Sequence, residues 1–211
     1  MRRIQRIQPS PHVQGRYLVF FEDETLLKVT EEEMLRFSLY AGLTLEEATY
    51  TELTRCANRS QALSAAARII GTRALSKGEL VDKLTQKKHS REDAQAAADY
   101  MEEIGALNDG QYAKLLARHY AGRGYGARKI QSELYRRKVP REHWAEALAE
   151  VETPEDVIDR LIEKKLRNKV MDRKELGKVS AFLARRGFSW SEIQEGLSRY
   201  TDTQDEFEPY P

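Results

Sequence analysis

The spacing of apolar residues divides the chain into two regions. From Arg16 to Phe21 the residues are mainly β-branched or aromatic, a polar stretch follows that can turn, and apolar character returns from Leu26 to Val29. This pattern predicts a small β-hairpin. From about residue 62 the apolar residues recur every three or four positions, which is typical of amphipathic helices. Because a lone hairpin is only marginally stable, we expect its apolar face to pack on those helices.

Local capping sequences predict where many of the helices begin. Thr30-Glu-Glu-Glu33 and Thr44-Leu-Glu-Glu47 both have the capping-box pattern, and each predicts a helix directly after it. Asp109 precedes a helical spacing of apolar residues and is the predicted N-cap of a helix at 110–121. Other predicted starts are Ser76, Ser90, Pro140, Thr153-Pro154 and the capping box Ser189-Trp-Ser-Glu192.

The helical region repeats itself about every fifty residues. When the chain is shifted by 50 residues and then by a further 49, apolar residues fall on apolar residues at positions that must be buried. Two such series are Leu80, Ile130 and Val179, and Leu84, Leu134 and Leu183. Because a unit of this size buries little area alone, neighbouring units are expected to share apolar surface. The sequence therefore predicts a mostly α protein, an elongated, curved array of tandem three-helix repeats with a small N-terminal β-hairpin.

These elements divide the chain into five predicted segments. They are an N-terminal extension at 1–61, three-helix repeats at 62–108, 109–152 and 153–200, and an acidic flexible tail at 201–211. The tail could fold back on basic residues or simply keep the end of the chain soluble, and both interpretations remain open.

Composition restricts the class of protein. The 211 residues include 35 Lys or Arg and 34 Asp or Glu, so the formal net charge is +1, and the mean hydropathy is −0.68. The longest apolar run, from Tyr17 to Phe21, is far shorter than the ~20 residues that a membrane helix needs. Cys56 is the single cysteine, which excludes an internal disulfide and fits a reducing cytosol. We therefore expect a cytoplasmic protein with no membrane contact.

The sequence contains no recognisable motif for catalysis or cofactor binding. The four histidines lack metal-ligand spacing, no nucleophile–base pair is evident, and Gly124 and Gly126 do not form a phosphate-binding loop. We interpret these two glycines as points of backbone freedom in a turn between helices. We expect neither enzymatic activity nor a cofactor.

Charge is segregated along this nearly neutral chain. Residues 112–141 carry nine basic groups against Glu133 alone, and residues 160–187 carry ten basic groups against three acids. Residues 22–33 and 202–208 are strongly acidic. Such segregation favours a partner that is negative where this chain is positive, such as a nucleic acid or an acidic protein surface.

The first basic segment is interpreted as a binding strip. Lys114 and Arg118 lie four residues apart and so share a helix face. Cations can also stabilise the C-terminus of a helix, but this explanation does not account for the lack of acids over thirty residues. For the second basic run, binding and a solvated face remain equally open. The candidate binding residues are Lys114, Arg118, Arg123, Tyr125, Arg128, Lys129, Arg136, Arg137, Lys138, Lys164, Lys165 and Arg167.

Four further residues are assigned structural roles, and one aromatic remains ambiguous. Tyr125 lies in a basic loop flanked by glycines, where stacking on a partner and packing are equally open. Tyr112 is expected to pack in the repeat. The structural residues are Asp109, Tyr112, Gly126 and Leu134.

The second repeat contains the most distinctive motifs of the chain. Glu103-Ile-Gly-Ala-Leu-Asn-Asp-Gly-Gln-Tyr-Ala113 is followed by Arg123-Gly-Tyr-Gly126 and by Arg137-Lys-Val-Pro140, and the first repeat supplies Leu75-Ser-Lys-Gly-Glu-Leu80. Together these motifs resemble the RecX family of recombination regulators over roughly residues 62–200.

That resemblance implies a protein that binds RecA–DNA filaments in their helical groove. It implies modulation, usually inhibition, of the RecA ATPase, of strand exchange and of recombination in DNA repair and the SOS response. We expect a monomer. The residues themselves leave a second class open, a helical module that binds single- or double-stranded DNA non-specifically and whose affinity falls steeply with salt.

Overall fold

The protein divides into two compact units, Met1–Leu107 and Asn108–Pro211. The computed structural model describes residues 1–151, 155–166 and 172–205. Within these ranges no helix is both long enough and apolar enough to cross a membrane.

The first unit opens with an antiparallel sheet that is larger than the predicted hairpin. Its strands lie in the order β3-β2-β1-β4 and are β1 (Arg2–Pro9), β2 (Arg16–Phe21), β3 (Leu26–Thr30) and β4 (Thr44–Leu45). The hairpin formed by β2 and β3 is confirmed, with Leu18 opposite Lys28. Strand β1 was not predicted because only Ile4 and Ile7 are apolar among its charged and amide residues. Ile4 is nevertheless buried in the core.

Four helices complete this unit. They are α1 (Glu31–Arg36), α2 (Glu47–Ile70), α3 (Lys77–Gln86) and α4 (Arg91–Glu103). Helix α2 serves two cores, because Leu53 and Ala57 pack with the sheet whereas Ala62 and Ala66 pack with α3 and α4. The predicted packing of the hairpin on the following helices is therefore confirmed, through α2.

The predicted caps in this unit are right in three cases and wrong in one. The Thr30–Glu33 capping box is complete, and the hydroxyls of Ser76 and Ser90 accept the expected amides at 3.0 Å. Thr44 caps nothing. It pairs with Arg3 as part of β4, and α2 begins after Glu46 with no side-chain cap. A tertiary strand pairing has overridden the local capping sequence.

The second unit contains two three-helix groups. The first consists of α5 (Asp109–Ala121), α6 (Ala127–Arg136) and, after a 3₁₀ turn at Arg141–His143, α7 (Trp144–Ala149). The second consists of α8 (Glu155–Leu166), α9 (Arg173–Arg185) and α10 (Trp190–Asp205). Each group has its own core: Tyr112, Ile130 and Leu134 are buried in the first, and Ile162 and Leu183 in the second.

Helix α5 begins one residue earlier than predicted. The side chain of Asn108, not that of Asp109, caps the helix by accepting the amide of Gln111 at 2.8 Å. Asn108 has the extended backbone of an N-cap, so Asp109 becomes the first helical residue and is 4% exposed. Its carboxylate therefore lies at the positive end of the helix dipole rather than in the cap position.

The capping box predicted at Ser189–Glu192 is confirmed. The Ser189 amide donates to the Glu192 carboxylate at 2.6 Å, and the Glu192 amide donates back to the Ser189 hydroxyl at 3.3 Å. Thr153-Pro154 lies outside the described residues. Helix α10 runs to Asp205, so it includes the first five residues of the segment predicted as a tail.

The end of the middle helix is the clearest structural mark of the repeat. Lys88, Lys138 and Gly187 coincide when the chain is shifted by 50 and then 49 residues, and all three have left-handed backbone. The next amide then bonds the carbonyl five residues earlier, in the pairs His89–Leu84, Val139–Leu134 and Phe188–Leu183 at 3.2, 3.0 and 3.3 Å. This arrangement is a Schellman motif, which ends a helix by satisfying its last carbonyls.

Candidate functional site

Backbone hydrogen bonds join the three-helix groups of the second unit. The amide of Gly126 donates to the carbonyl of Arg186 at 2.9 Å, and the amide of Arg128 donates to the carbonyl of Gly187 at 3.1 Å. A Cβ at Gly126 would lie 2.6 Å from the Gly187 carbonyl oxygen, and one at Gly187 would lie 2.3 Å from the Lys129 amide nitrogen. Neither position accepts a side chain, because backbone occupies the space on both sides.

The backbone conformations distinguish the two glycines of the loop. Gly124 has a φ of +73°, which confirms the predicted need for backbone freedom. Gly126 has an ordinary φ of −80°. The predicted need for backbone freedom at Gly126 was therefore wrong. Glycine is required there because the backbone of Gly187 approaches too closely for a side chain.

Arg186 covers this junction. Its Nη1 donates to the carbonyls of Arg123 at 2.9 Å and Gly124 at 3.0 Å. Its guanidinium also lies 5.1 Å from the centre of the Tyr125 ring, and that ring meets Tyr120 edge-on at 5.7 Å. These contacts give the half-buried Tyr125 a packing role in the junction. Arg186 was not predicted because its sequence position suggests only a cation at a helix end.

A cleft of about 710 Å³ lies beside the junction. Helix α5 and the turn after it contribute Arg118 and Arg123, and α8 contributes Arg160 and Lys164. All four side chains are exposed. The remaining lining is mostly small or apolar and includes Ala121, Val151, Val157 and Leu161. The cleft therefore combines basic rims with an apolar floor.

Among the described residues that line the cleft, Glu150 is the one acid, and it is already paired. It accepts a contact of 2.6 Å from the ammonium of Lys114, which also holds Glu146 at 2.7 Å. Hydrogen bonds from Glu146 and then Glu150 raise the pKa of Lys114. Lys114, predicted as a binding residue, is thus engaged within the protein.

Glu133 engages two more of the predicted binding residues. Its carboxylate contacts Lys129 at 2.8 Å and Arg136 at 2.6 Å. Burial alone would raise the pKa of Glu133, but hydrogen bonds from Lys129, Arg136 and Tyr120 outweigh it and lower the pKa from 4.5 to about 2. The basic strip predicted from sequence is therefore partly neutralised by the one acid within it.

The other predicted binding residues differ in their surroundings. Among the described residues Arg118, Arg123, Arg128 and Lys164 have no acidic partner. Lys165 lies 5.3 Å from the ring of Phe182. Arg137 is half-buried at the end of α6, Lys138 is the exposed left-handed residue after it, and Arg167 lies outside the described residues.

The cleft includes one cation that sequence reasoning did not select. Arg160 lies one helical turn before Lys164 on α8 and lines the same space. It belongs to the second basic segment, but no local motif distinguished it from nine other cations. Its i, i+4 spacing from Lys164 was the signal that could have found it.

Comparison with known proteins identifies the family of this chain. Residues 108–148 match the profile described as "RecX, second three-helix domain", and residues 154–197 match "RecX, third three-helix domain". The chain is 35% identical over 124 residues to the regulatory protein RecX of Vibrio parahaemolyticus, covering 57% of this chain and 79% of the relative. The chain belongs to the RecX family. A RecX from Caldanaerobacter subterraneus is 25% identical over 187 residues, covering 87% of this chain and 93% of the relative.

The fold agrees with this assignment. A crystal structure of a regulatory protein RecX superposes with a TM-score of 0.73 at 19% identity, covering 94% of this chain and all of that one. The predicted mostly α architecture with a small N-terminal β element is thereby confirmed. The matched relatives are named regulatory proteins, and the RecX family is not a family of enzymes.

Proposed function

We propose that this RecX chain binds RecA–DNA filaments through the basic cleft of its second unit and inhibits the RecA ATPase and strand exchange. The observation that supports this proposal best is the exposed set of Arg118, Arg123 and Lys164 around an apolar floor. A filament of protein and DNA offers the phosphates and acidic side chains that such a surface attracts.

The junction between the two three-helix groups suits this role. The Gly126–Gly187 contact fixes the spacing of the helices that supply the cations, so they need not be ordered when a partner binds. A preorganised surface loses less conformational entropy on binding than a flexible one. Inhibition would follow because the bound chain obstructs access of a second DNA or stops filament growth.

RecA ATP hydrolysis on single-stranded DNA, with and without this chain at substoichiometric ratios, tests the proposal. We expect strong inhibition at a small fraction of the RecA concentration. A parallel fluorescence anisotropy titration on bare single-stranded DNA controls for simple competition. An unchanged ATPase rate beside tight binding to bare DNA would contradict the proposal.

The same cations also support a second candidate, a non-specific DNA-binding module with DNA as its main ligand. Binding to phosphates releases counterions, so affinity should fall roughly tenfold for every few phosphates bound as the salt concentration rises from about 50 to about 200 mM. Filament binding that also uses the apolar floor should fall less steeply. Equal salt slopes for bare DNA and for filaments would favour the DNA-binding module.

A further inference from the structure

Helix α6 has a solvent-exposed face that takes no part in the basic cleft. Four exposed residues, spaced by three or four positions, form one stripe along the helix. They are Arg128, Gln131, Ser132 and Tyr135, which together make up the α6 face. Ile130 and Leu134 lie on the opposite side of the helix, in the core of the first three-helix group. None of the four residues of the α6 face lines the cleft.

Tyr135 differs from the other tyrosines of this three-helix group. Its side chain is 70% exposed, whereas Tyr112 is buried and Tyr120 and Tyr125 are half-buried. The stacking role that the sequence left open for Tyr125 is therefore better suited to Tyr135. A single exposed aromatic residue is common on protein surfaces, so its surroundings decide whether it belongs to a binding site.

The surroundings of Tyr135 are basic. Arg128 lies two helical turns before it, about 10.5 Å along the axis, and has no acidic partner among the described residues. Arg136 directly follows Tyr135 and has a side chain that is 62% exposed. Glu133 is the one acid of α6, and it is buried and already held by Lys129 and Arg136. The α6 face therefore attracts anions on either side of the exposed ring.

This chemistry fits a single-stranded nucleic acid better than a protein partner. The centre of a protein interface is apolar and poor in charge, but Tyr135 has no aliphatic neighbour on the α6 face. A nucleobase needs only one exposed ring on which to stack, and nearby cations bind the phosphates of the same strand. Bases within a duplex are already stacked on one another, so a single strand is the form that offers their ring faces.

We propose that the α6 face binds single-stranded DNA, with one base stacked on Tyr135 and the phosphate backbone held by Arg128. Gln131 and Ser132 supply hydrogen-bonding groups between these two residues. The α6 face is distinct from the basic cleft, so this inference goes beyond the proposed binding of RecA filaments. Only the choice of DNA over RNA rests on that proposed function, which brings the chain to a DNA filament.

Fluorescence anisotropy at low salt with a labelled oligothymidine tests the stacking. The full-length chain carries R118E/R123E/K164E, which removes the attraction of the cleft for phosphates and leaves the α6 face intact. In this background Tyr135→Leu should weaken binding about fivefold or more, because the stacking energy of one base is lost. Tyr135→Phe keeps the ring and should bind like the parent chain. Tyr40→Leu, which removes a 61% exposed tyrosine of the first unit, should also leave binding unchanged.

Duplex and RNA probes of the same length identify the form of nucleic acid. Because a duplex hides the ring faces of its bases, Tyr135→Leu should not change the affinity for duplex DNA. Equal losses on single-stranded and duplex DNA would overturn the stacking, and tighter binding of oligouridine than of oligothymidine would overturn the choice of DNA. The absence of oligothymidine binding in the parent chain, or equal affinities of the Tyr135→Leu and Tyr40→Leu variants, would overturn the whole proposal.

The salt dependence of oligothymidine binding tests the role of Arg128. One phosphate contact to a single strand contributes about 0.7 to the slope of log affinity against log salt concentration. Arg128→Gln should therefore lower that slope by about 0.7, whereas Arg173→Gln, which removes an exposed cation of α9, should leave the slope unchanged. Equal slopes for the two variants would overturn the phosphate contact at Arg128.

A RecA ATPase assay on the same variants separates this inference from the proposed function. Oligothymidine binding that depends on Tyr135, in a wild-type chain that does not inhibit RecA, would overturn only the filament proposal. Normal inhibition of RecA, beside oligothymidine binding that is the same with and without the Tyr135 ring, would overturn only the α6 proposal.

Discussion

At Gly187 the hydrogen of glycine is the only side chain that fits. A Cβ there would lie 2.3 Å from the Lys129 amide nitrogen, and the φ of +89° disfavours any L side chain. Both obstacles involve backbone, which cannot rotate away. Self-comparison of the sequence aligns Gly187 with Lys138, yet nothing local shows that a second loop passes so close.

Replacing Gly187 by Ala should therefore destabilise the second unit by roughly 2–3 kcal/mol, measured by urea unfolding. Gly177 is the matched control, since it lies inside α9 and a Cβ there would have no neighbouring atom within 4 Å. Gly177→Ala should stabilise the same unit by about 0.5–1 kcal/mol. Equal effects of the two substitutions would contradict the close packing at Gly187.

Glu133 makes stability depend on pH in a predictable direction. Its pKa is about 2 in the folded chain against an ordinary value of 4.5, so the carboxylate stabilises the fold above pH 4.5 and this contribution is lost as the pH falls toward 2. Because Lys129 and Arg136 are partly exposed, the loss from pH 7 to pH 3 should be about 1–2 kcal/mol.

Urea unfolding of Glu133→Gln at pH 7 and pH 3 measures this contribution. The amide keeps the shape of the side chain without the charge, so the variant should be less stable at pH 7 and should lose less stability on acidification. Glu163→Gln, an exposed substitution in the same unit, should keep the wild-type pH dependence. An unaltered acid response in Glu133→Gln would assign the effect to other carboxylates.

At the scale of elements, the predictions hold where a short sequence decides the structure. Ser76, Ser90 and Ser189 cap helices as expected, because each cap involves only three or four neighbouring residues. The predictions fail where pairing with a distant part of the backbone determines the secondary structure. Thr44 pairs with Arg3 in the sheet instead of capping a helix. Strand β1 contains too few apolar residues for its sequence to predict a strand.

The repeated helix ends offer a prediction of their own. Lys88 adopts a φ of +72° at a position where the third repeat has glycine, and a left-handed lysine is strained by roughly 1 kcal/mol. Lys88→Gly should therefore stabilise the first unit by about 0.5–1 kcal/mol in thermal unfolding. The adjacent Lys87→Gly, where φ is −83°, should give no gain. If Lys88→Gly lowered the stability of the unit as much as Lys87→Gly, the backbone at Lys88 would not be strained.

At the scale of the molecule, the sequence showed which segments are basic but not which cations remain available. Lys114, Lys129 and Arg136 are held by Glu146, Glu150 and Glu133, and two of those acids lie beyond the basic segment. The cleft arises only when residues of α5 and α8 come together. Ion pairs between distant segments cannot be predicted from the local pattern of charges.

The available cations define the last prediction. The variant R118E/R123E/K164E should raise the concentration needed to inhibit the RecA ATPase by tenfold or more, since each reversal replaces an attraction to the filament by a repulsion. Lys129 is left unchanged, because a glutamate there would repel Glu133 and destabilise α6. The control R173E/K174E/R185E reverses three exposed cations of α9 that lie outside the cleft. If both folded variants lose inhibition equally, net charge rather than the cleft governs binding, and if neither does, the filament contacts another surface.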